Sequence, residues 1–374
     1  GKDYSLGGIT LLCKFDGQRV TMASQIAGAD ETVSSLYSVK SEQATMLSFD
    51  TYNYLVHYFG QPQGSMADDP NGTLGGDYEF VISDATADRI ELKGKKYGNR
   101  IVMKAFSADQ TWKQYLTRIK KVEDDAFFYE YDLRMDGLYT GQMLRSNYTF
   151  IVTYYDEVGK VYQKTVPFMF TTDGMRFHEP VTIDGQTMQN FVWKNEEISF
   201  VCTDEGATGV KMKGIYIDGY QSYDYYPGTY LMDFYRLNGA TNQLEVASQE
   251  IQLVKNEDGK SYWLKGLEYD ILVTYDKPRG GLSILPQFLK KVQGGYVYLA
   301  MWDLMNDYVL RSSAIGLISY PTTDGIYLVD NGVWMGEISG FIFGVYDSQD
   351  EEASFMGYTD AVAAIRLIKK TIEE

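Results

Sequence analysis

Two histidines, His57 and His178, are the whole imidazole complement of this 374-residue chain. Acid–base chemistry by imidazole near neutral pH is therefore confined to two places. His57 lies in Tyr54-Leu55-Val56-His57-Tyr58-Phe59, which reads as a strand, and an imidazole there fits a core or rim better than a catalytic post. His178 precedes Glu179-Pro180 near an expected turn and reads as a surface residue. No HExxH, CxxC or paired-His spacing occurs, so neither a metal site nor a cofactor is expected. The chain also lacks a GxSxG elbow, a GxGxxG following a strand and a P-loop, which removes the corresponding hydrolase, dinucleotide and nucleoside-triphosphate readings. Its 51 acidic residues leave a carboxylate pair for glycoside hydrolysis open, since two such partners need not be near in sequence. Asp68-Asp69-Pro70-Asn71-Gly72 and Asp347-Ser348-Gln349-Asp350-Glu351-Glu352 offer hard oxygens without the spacing of a calcium loop, and read as solvated turns.

Aromatic clusters are the remaining candidates. Tyr52-Asn53-Tyr54 with His57-Tyr58-Phe59 forms the first, from which Tyr52, Asn53 and His57 are the candidate ligand contacts. The second spans Tyr216, Tyr220, Tyr223, Tyr225, Tyr226 and Tyr230. Within it Tyr223, Asp224, Tyr225 and Tyr226 are consecutive and precede Pro227-Gly228, which reads as a loop that would expose the rings. Flat rings beside amides or carboxylates suit sugars, because the ring covers the apolar sugar face while hydroxyls keep their hydrogen bonds. Packing of strands and hairpins accounts for the same rings without any ligand.

The formal net charge of -17 excludes a nucleic-acid partner, which would need clustered Lys and Arg. Lys93-Gly94-Lys95-Lys96 and Lys369-Lys370 are too small to reverse the acidic field. No apolar stretch is long enough for a membrane-spanning helix. The start at Gly1-Lys2-Asp3-Tyr4-Ser5 reads as a cleavage scar from which a targeting segment has been trimmed. Cys13 and Cys202 sit in alternating apolar runs and are expected to be buried free thiols, with a disulfide as the alternative.

The elements that must position these residues are legible in the turns. Ten Asp-Gly or Asn-Gly pairs begin at Asp16, Asn71, Asp136, Asp173, Asp184, Asp218, Asn238, Asp258, Asp324 and Asn331. Such pairs tolerate the positive φ of tight hairpin turns, and the segments between them are rich in strand-favouring Tyr, Phe, Val, Ile and Thr. The expected fold is all-β, with two antiparallel β-rich domains (barrel or sandwich) and one substantial helix near 109–122. In that helix Trp112, Tyr115, Leu116, Ile119 and Val122 share a face, Ser107 or Asp109 caps the start, and Lys120 and Lys121 suit the end. The polar stretch Thr203–Gly209 is the expected junction between domains at 1–207 and 212–374. Ala361–Lys370 is expected to be a closing strand. Thr171-Thr172-Asp173-Gly174 recurs as Thr322-Thr323-Asp324-Gly325, which suggests a shared β-architecture or merely two similar turns.

Ser35-Leu36-Tyr37-Ser38-Val39, Leu47-Ser48-Phe49-Asp50-Thr51-Tyr52-Asn53 and His57-Tyr58-Phe59 carry a family resemblance, together with Gly75-Gly76-Asp77-Tyr78-Glu79-Phe80-Val81 and Leu92-Lys93-Gly94-Lys95-Lys96-Tyr97-Gly98-Asn99. Over about the first 200 residues the chain resembles a Bacteroidetes lipoprotein family catalogued as a domain of unknown function, whose members accompany starch-utilisation-type importers. Tyr226-Pro227-Gly228-Thr229-Tyr230, Tyr262-Trp263-Leu264-Lys265-Gly266-Leu267 and Gly281-Leu282-Ser283-Ile284-Leu285-Pro286-Gln287 resemble a lipocalin-like or calycin-like barrel, as do Gly325-Ile326-Tyr327 and Gly340-Phe341-Ile342-Phe343-Gly344-Val345-Tyr346-Asp347. The resemblance implies a lipid-anchored protein of the outer-membrane surface or periplasm, whose anchor lies upstream of residue 1 and is its sole tie to the membrane. It offers no catalytic residues. The expected function is non-catalytic capture of a glycan or peptide for an outer-membrane importer complex. Its rivals are a carrier of a small apolar ligand inside the C-terminal barrel and a glycoside hydrolase. An open or filled barrel interior discriminates the carrier, and two convergent acids in a cleft would mark the hydrolase.

Overall fold

The computed structural model describes residues 7–41, 44–61, 74–156, 158–350 and 352–370. Asp68–Gly72, Glu351 and the start at Gly1 lie outside them. The chain divides into two units, Gly1–Tyr216 and Ile217–Glu374.

The first unit opens with a seven-stranded meander in chain order, from β1 (Leu11–Asp16), β2 (Arg19–Ser24), β3 (Val33–Ser41) and β4 (Thr45–Phe49) through β5 (Glu79–Ala85), β6 (Arg89–Gly94) and β7 (Arg100–Lys104). Alternation puts Val20, Met22, Leu47, Phe49, Phe80 and Leu92 on one buried face. Between β4 and β5 the expected strand at 54–59 is instead a short helix, α1 (Tyr54–His57), followed by a 3-10 turn at Tyr58–Gly60. Asn53 decides this, because its side chain accepts from the Leu55 amide at 3.1 Å and caps the turn. Leu55 and Val56 then face the core together, so the apolar pair follows a helical turn and not a strand.

The substantial helix, α2 (Trp112–Asp125), starts later than expected. Thr111 caps it in place of Ser107 or Asp109, in a reciprocal capping box with Gln114. Its Leu116 packs on Leu12 and Ala23 of the sheet, while Ile119 and Val122 join the core that follows. Lys121 pairs with Asp125 at 2.6 Å and Lys120 donates to the Gln25 carbonyl at 2.7 Å.

That core fills a closed eight-stranded barrel, made of β8 (Glu130–Met135), β9 (Leu138–Ser146), β10 (Thr149–Tyr155), β11 (Val161–Phe170), β12 (Gly174–Ile183), β13 (Gln186–Lys194), β14 (Ser199–Cys202) and β15 (Val210–Ile215). Phe150, Phe168, Phe170, Phe177 and Phe200 are buried in it. Complete burial of each such ring contributes about 1.5–3 kcal/mol. Because β15 pairs with both β14 and β8, the expected junction at 203–209 is a loop of this barrel, and the division falls after Tyr216. His178 lies within β12, half-buried rather than on a surface turn, and burial pushes its imidazole below the usual range.

The second unit is twelve-stranded: β16 (Gly228–Asn238), β17 (Gln243–Lys255), β18 (Ser261–Lys265), β19 (Ile271–Asp276), β20 (Gly281–Ile284), β21 (Gln287–Val292), β22 (Gly295–Asp303), β23 (Tyr308–Leu310), β24 (Leu317–Thr322), β25 (Gly325–Asp330), β26 (Gly340–Tyr346) and β27 (Phe355–Lys369). The path β16-β17-β18-β19-β20-β24-β25-β27 returns to β16, so eight strands form a ring and β27 is the closing strand. The expected strand at Ala361–Lys370 is the latter part of it. Ala364, at φ 49°, interrupts β27. Residues beyond it pair with β25, and those before it with β26, which carries β22, β21 and β23. Met232, Leu253, Leu264, Leu299, Phe341 and Phe343 are among the side chains that fill the interior.

Both cysteines are unpaired, Cys202 buried and Cys13 half-buried. Burial pushes the Cys13 thiol up to about 12 and that of Cys202 up to about 11. At pH 8 a free thiol is roughly one-quarter thiolate, whereas these are almost wholly protonated. Iodoacetamide at pH 8 should therefore label the native protein more than about 100-fold slower than a free cysteine peptide. Labelling both thiols at the free rate without denaturant would contradict this environment.

Candidate functional site

In the first unit, α1 and the start of β5 assemble an exposed aromatic surface. The Asn53 side chain caps α1 and donates to Ser35 Oγ at 3.1 Å, fixing the loop that carries Tyr52. His57 Nδ1 lies 3.2 Å from the Asn53 nitrogen and 3.0 Å from its carbonyl oxygen, which ties the imidazole to the same residue. The ring stacks on Tyr78 with centroids 4.9 Å apart and planes within 15°, and Tyr52 lies 5.5 Å from it on a tilted plane. Tyr52 is 60% exposed and Tyr78 45%. Asn53 itself is fully buried, so of the three expected contacts it is a scaffold, while Tyr52 is exposed and His57 half-buried.

Tyr78 was not among the residues expected to form a site. It arrives through sheet register, since β4 pairs with β5 and the Phe49 amide donates to the Tyr78 carbonyl at 3.0 Å. Tyr52 follows Phe49 by three residues, so both rings emerge at one sheet end. Behind Tyr78, the Gly76 amide donates to the Phe59 carbonyl at 2.8 Å, and a β-carbon on Gly76 would stand 2.3 Å from Phe59 Cβ. Asp77, 7% exposed, accepts at Oδ1 from the amides of Lys96 (2.8 Å) and Tyr97 (3.0 Å). At Oδ2 it accepts from the Asn99 amide (3.1 Å) and side chain (2.6 Å). The Gly-Gly-Asp-Tyr run thus locks the β6–β7 turn and leaves its last ring outside.

The tyrosines of the second unit do the opposite. Tyr275 donates to the Gln221 carbonyl at 2.8 Å, Tyr262 to that of Tyr223 at 2.7 Å and Tyr230 to that of Tyr226 at 2.7 Å. Tyr223 and Tyr226 donate to the carbonyls of Ser261 and Gly280, each at 2.8 Å. The phenols pin the strap before β16 to the ring of strands. Tyr226 is 1% exposed and cannot meet a ligand, contrary to the expectation of a loop of open rings. Tyr223 stacks on Tyr262 at 4.7 Å. Asp224 and Tyr225 are exposed, but Asp224 is ion-paired with Lys255, and the Lys369 ammonium lies 4.9 Å over the Tyr225 ring. Of the two expected clusters, the first alone presents stacked rings outward.

Residues 1–195 match the profile of a domain of unknown function (DUF4302). The chain belongs to the DUF4302 family. Residues 203–342 match a second domain of unknown function (DUF4987). No curated protein matches the chain, and no solved structure does. The DUF4302 match contains the whole aromatic surface and its Asp77 lock, and stops before β14 and β15, the strands that complete the barrel. Among the described residues no cluster of His, Cys, Asp and Glu could hold a metal ion, and no helix is long and apolar enough to cross a membrane.

Proposed function

We propose that this chain is a non-catalytic glycan-capturing protein of the cell envelope, and that Tyr52, His57 and Tyr78 form its sugar-contact surface. The observation that carries the reading is the exposed Tyr78 ring stacked on the half-buried His57, with the exposed Tyr52 beside them. Such rings cover the apolar face of a pyranose, and an aromatic contact of this kind adds about 0.5–1.5 kcal/mol beyond its area. Rigidity supports it, because rings already held by Asn53 and by the Asp77 lock pay little ordering entropy on binding. The filled interior of the second unit favours surface capture over carriage of an apolar ligand. Attachment by a lipid anchor in a Bacteroidetes outer membrane, beside an importer, is the setting that the family resemblance suggests.

A glycan array followed by calorimetry on the strongest oligosaccharide tests the reading. Tyr78→Ala and Tyr52→Ala should each weaken binding about tenfold with the melting temperature within a degree or two of wild type. Full affinity in the double variant would overturn it.

A further inference from the structure

We propose that the outer face of the first unit's barrel carries a second binding site, a groove of about 570 Å3 suited to a small hydroxylated carboxylate of the hexuronate type. It shares no residue with the aromatic surface, so either proposal can fail alone.

Cations converge there in a chain whose net charge is -17. Strand register sets Arg134 opposite Lys211, and sets Lys213 opposite Asp132 on one side and Ser199 on the other. Like charges directly opposite each other destabilise a sheet unless acids lie beside them. Lys211 is balanced by Glu197 at 2.6 Å and Arg134 by Asp132 at 2.7 Å. Among the described residues, exposed Lys213 makes no ion pair and the buried Arg134 Nε meets no acceptor.

The rim is held in a costly conformation. The 3-10 turn Asn195–Glu197 ends on Ile198 at φ 46° and ψ 43°. A β-branched residue is strongly disfavoured in that left-handed region. The Ile198 amide donates to the Asn195 carbonyl at 3.2 Å, and its own carbonyl accepts from Gly214 at 2.8 Å, which locks the turn carrying Glu196 and Glu197 against the cationic strands.

The groove therefore offers three kinds of contact. Lys213 and Arg134 suit a carboxylate. Glu196, which has no ion pair among the described residues, can accept from sugar hydroxyls. Tyr216, 46% exposed and edge-on to Phe128 at 5.0 Å, supplies an apolar wall. A ligand with a carboxylate, several hydroxyls and one apolar ring face satisfies all three.

Titration of the intact protein with sodium glucuronate, glucose and sodium acetate, followed by NMR, decides the matter. Saturable glucuronate binding is expected with a Kd on the order of 1 mM, at least tenfold tighter than either glucose or acetate. Lys213→Gln, at an exposed position, should weaken it tenfold or more without changing the fold. Absence of saturation in wild type, or undiminished affinity in folded Lys213→Gln, would overturn the site. Equal binding of glucose would overturn the role of charge, and equal binding of acetate that of the sugar.

Discussion

Replacing Asp77 with alanine is expected to destabilise the first unit by about 2 kcal/mol, the cost of depriving several partly buried donors of a charged acceptor. Three backbone amides and one side-chain amide converge on this carboxylate from a single turn, and the Asn99 side chain also donates to the Gly75 carbonyl at 2.6 Å. Asp77→Asn should recover less than half the loss. Its amide nitrogen must face either the Lys96 and Tyr97 donors or those of Asn99, so one side becomes donor against donor. Gly94 stands against the same group, where a β-carbon would lie only 1.8 Å from Asp77 Oδ2, so Gly94→Ala should perturb the same lock. Chemical denaturation of the three variants measures this. A loss below about 1 kcal/mol in Asp77→Ala would mean that the turn holds itself.

Alkaline titration should unfold the protein in a steep step above pH 10. Burial raises the phenols of Tyr131, Tyr230, Tyr262 and Tyr275 well above their ordinary value, and burial with the nearby Glu123 carboxylate raises Tyr148 to about 12. Below pH 10 these phenols are protonated whether the chain is folded or not, so their contribution to stability is fully present. Above pH 10 the unfolded chain releases protons that the folded one retains. Each buried phenol then takes away up to about 1.4 kcal/mol per pH unit, until the pH passes its folded value. Absorbance at 295 nm should show exposed tyrosines ionising near pH 10, and the buried set following together with loss of near-ultraviolet dichroism. A single gradual wave through all 32 tyrosines, with native dichroism retained, would contradict the packing.

Local chemistry was the legible part of the candidate site. Asn53 ahead of Tyr54-Leu55-Val56-His57 is a helix cap visible in sequence, and reading that run as a strand overlooked it because its aromatic and β-branched residues also suit sheets. The tyrosine run before β16 misled for a different reason. A Pro-Gly neighbour marks a loop, but a loop can still be buried when hydroxyls from distant strands reach its carbonyls, as those of Tyr262 and Tyr275 do. The repeated Thr-Thr-Asp-Gly closes the hairpins β11–β12 and β24–β25 with the threonine hydroxyl on the aspartate carboxylate in both, although Gly325 takes φ 147° and Gly174 does not adopt a positive φ.

The amino-acid sequence by itself determined the all-antiparallel character and the hairpins that its Asp-Gly and Asn-Gly pairs close, because a tight turn is decided by the few residues inside it. Asp136-Gly137 and Asp184-Gly185 adopt positive φ at both positions, as hairpins β8–β9 and β12–β13 require. The tertiary structure alone decided which strands close the rings, where the chain divides and which rings face outward. Thr203–Gly209 looks like a linker until β15 is seen paired to β8, some 75 residues earlier in the chain. Tyr78 joins His57 only because β4 and β5 align across an intervening segment of almost thirty residues. Such contacts depend on the register of distant strands, which the whole core selects and no short stretch of residues encodes.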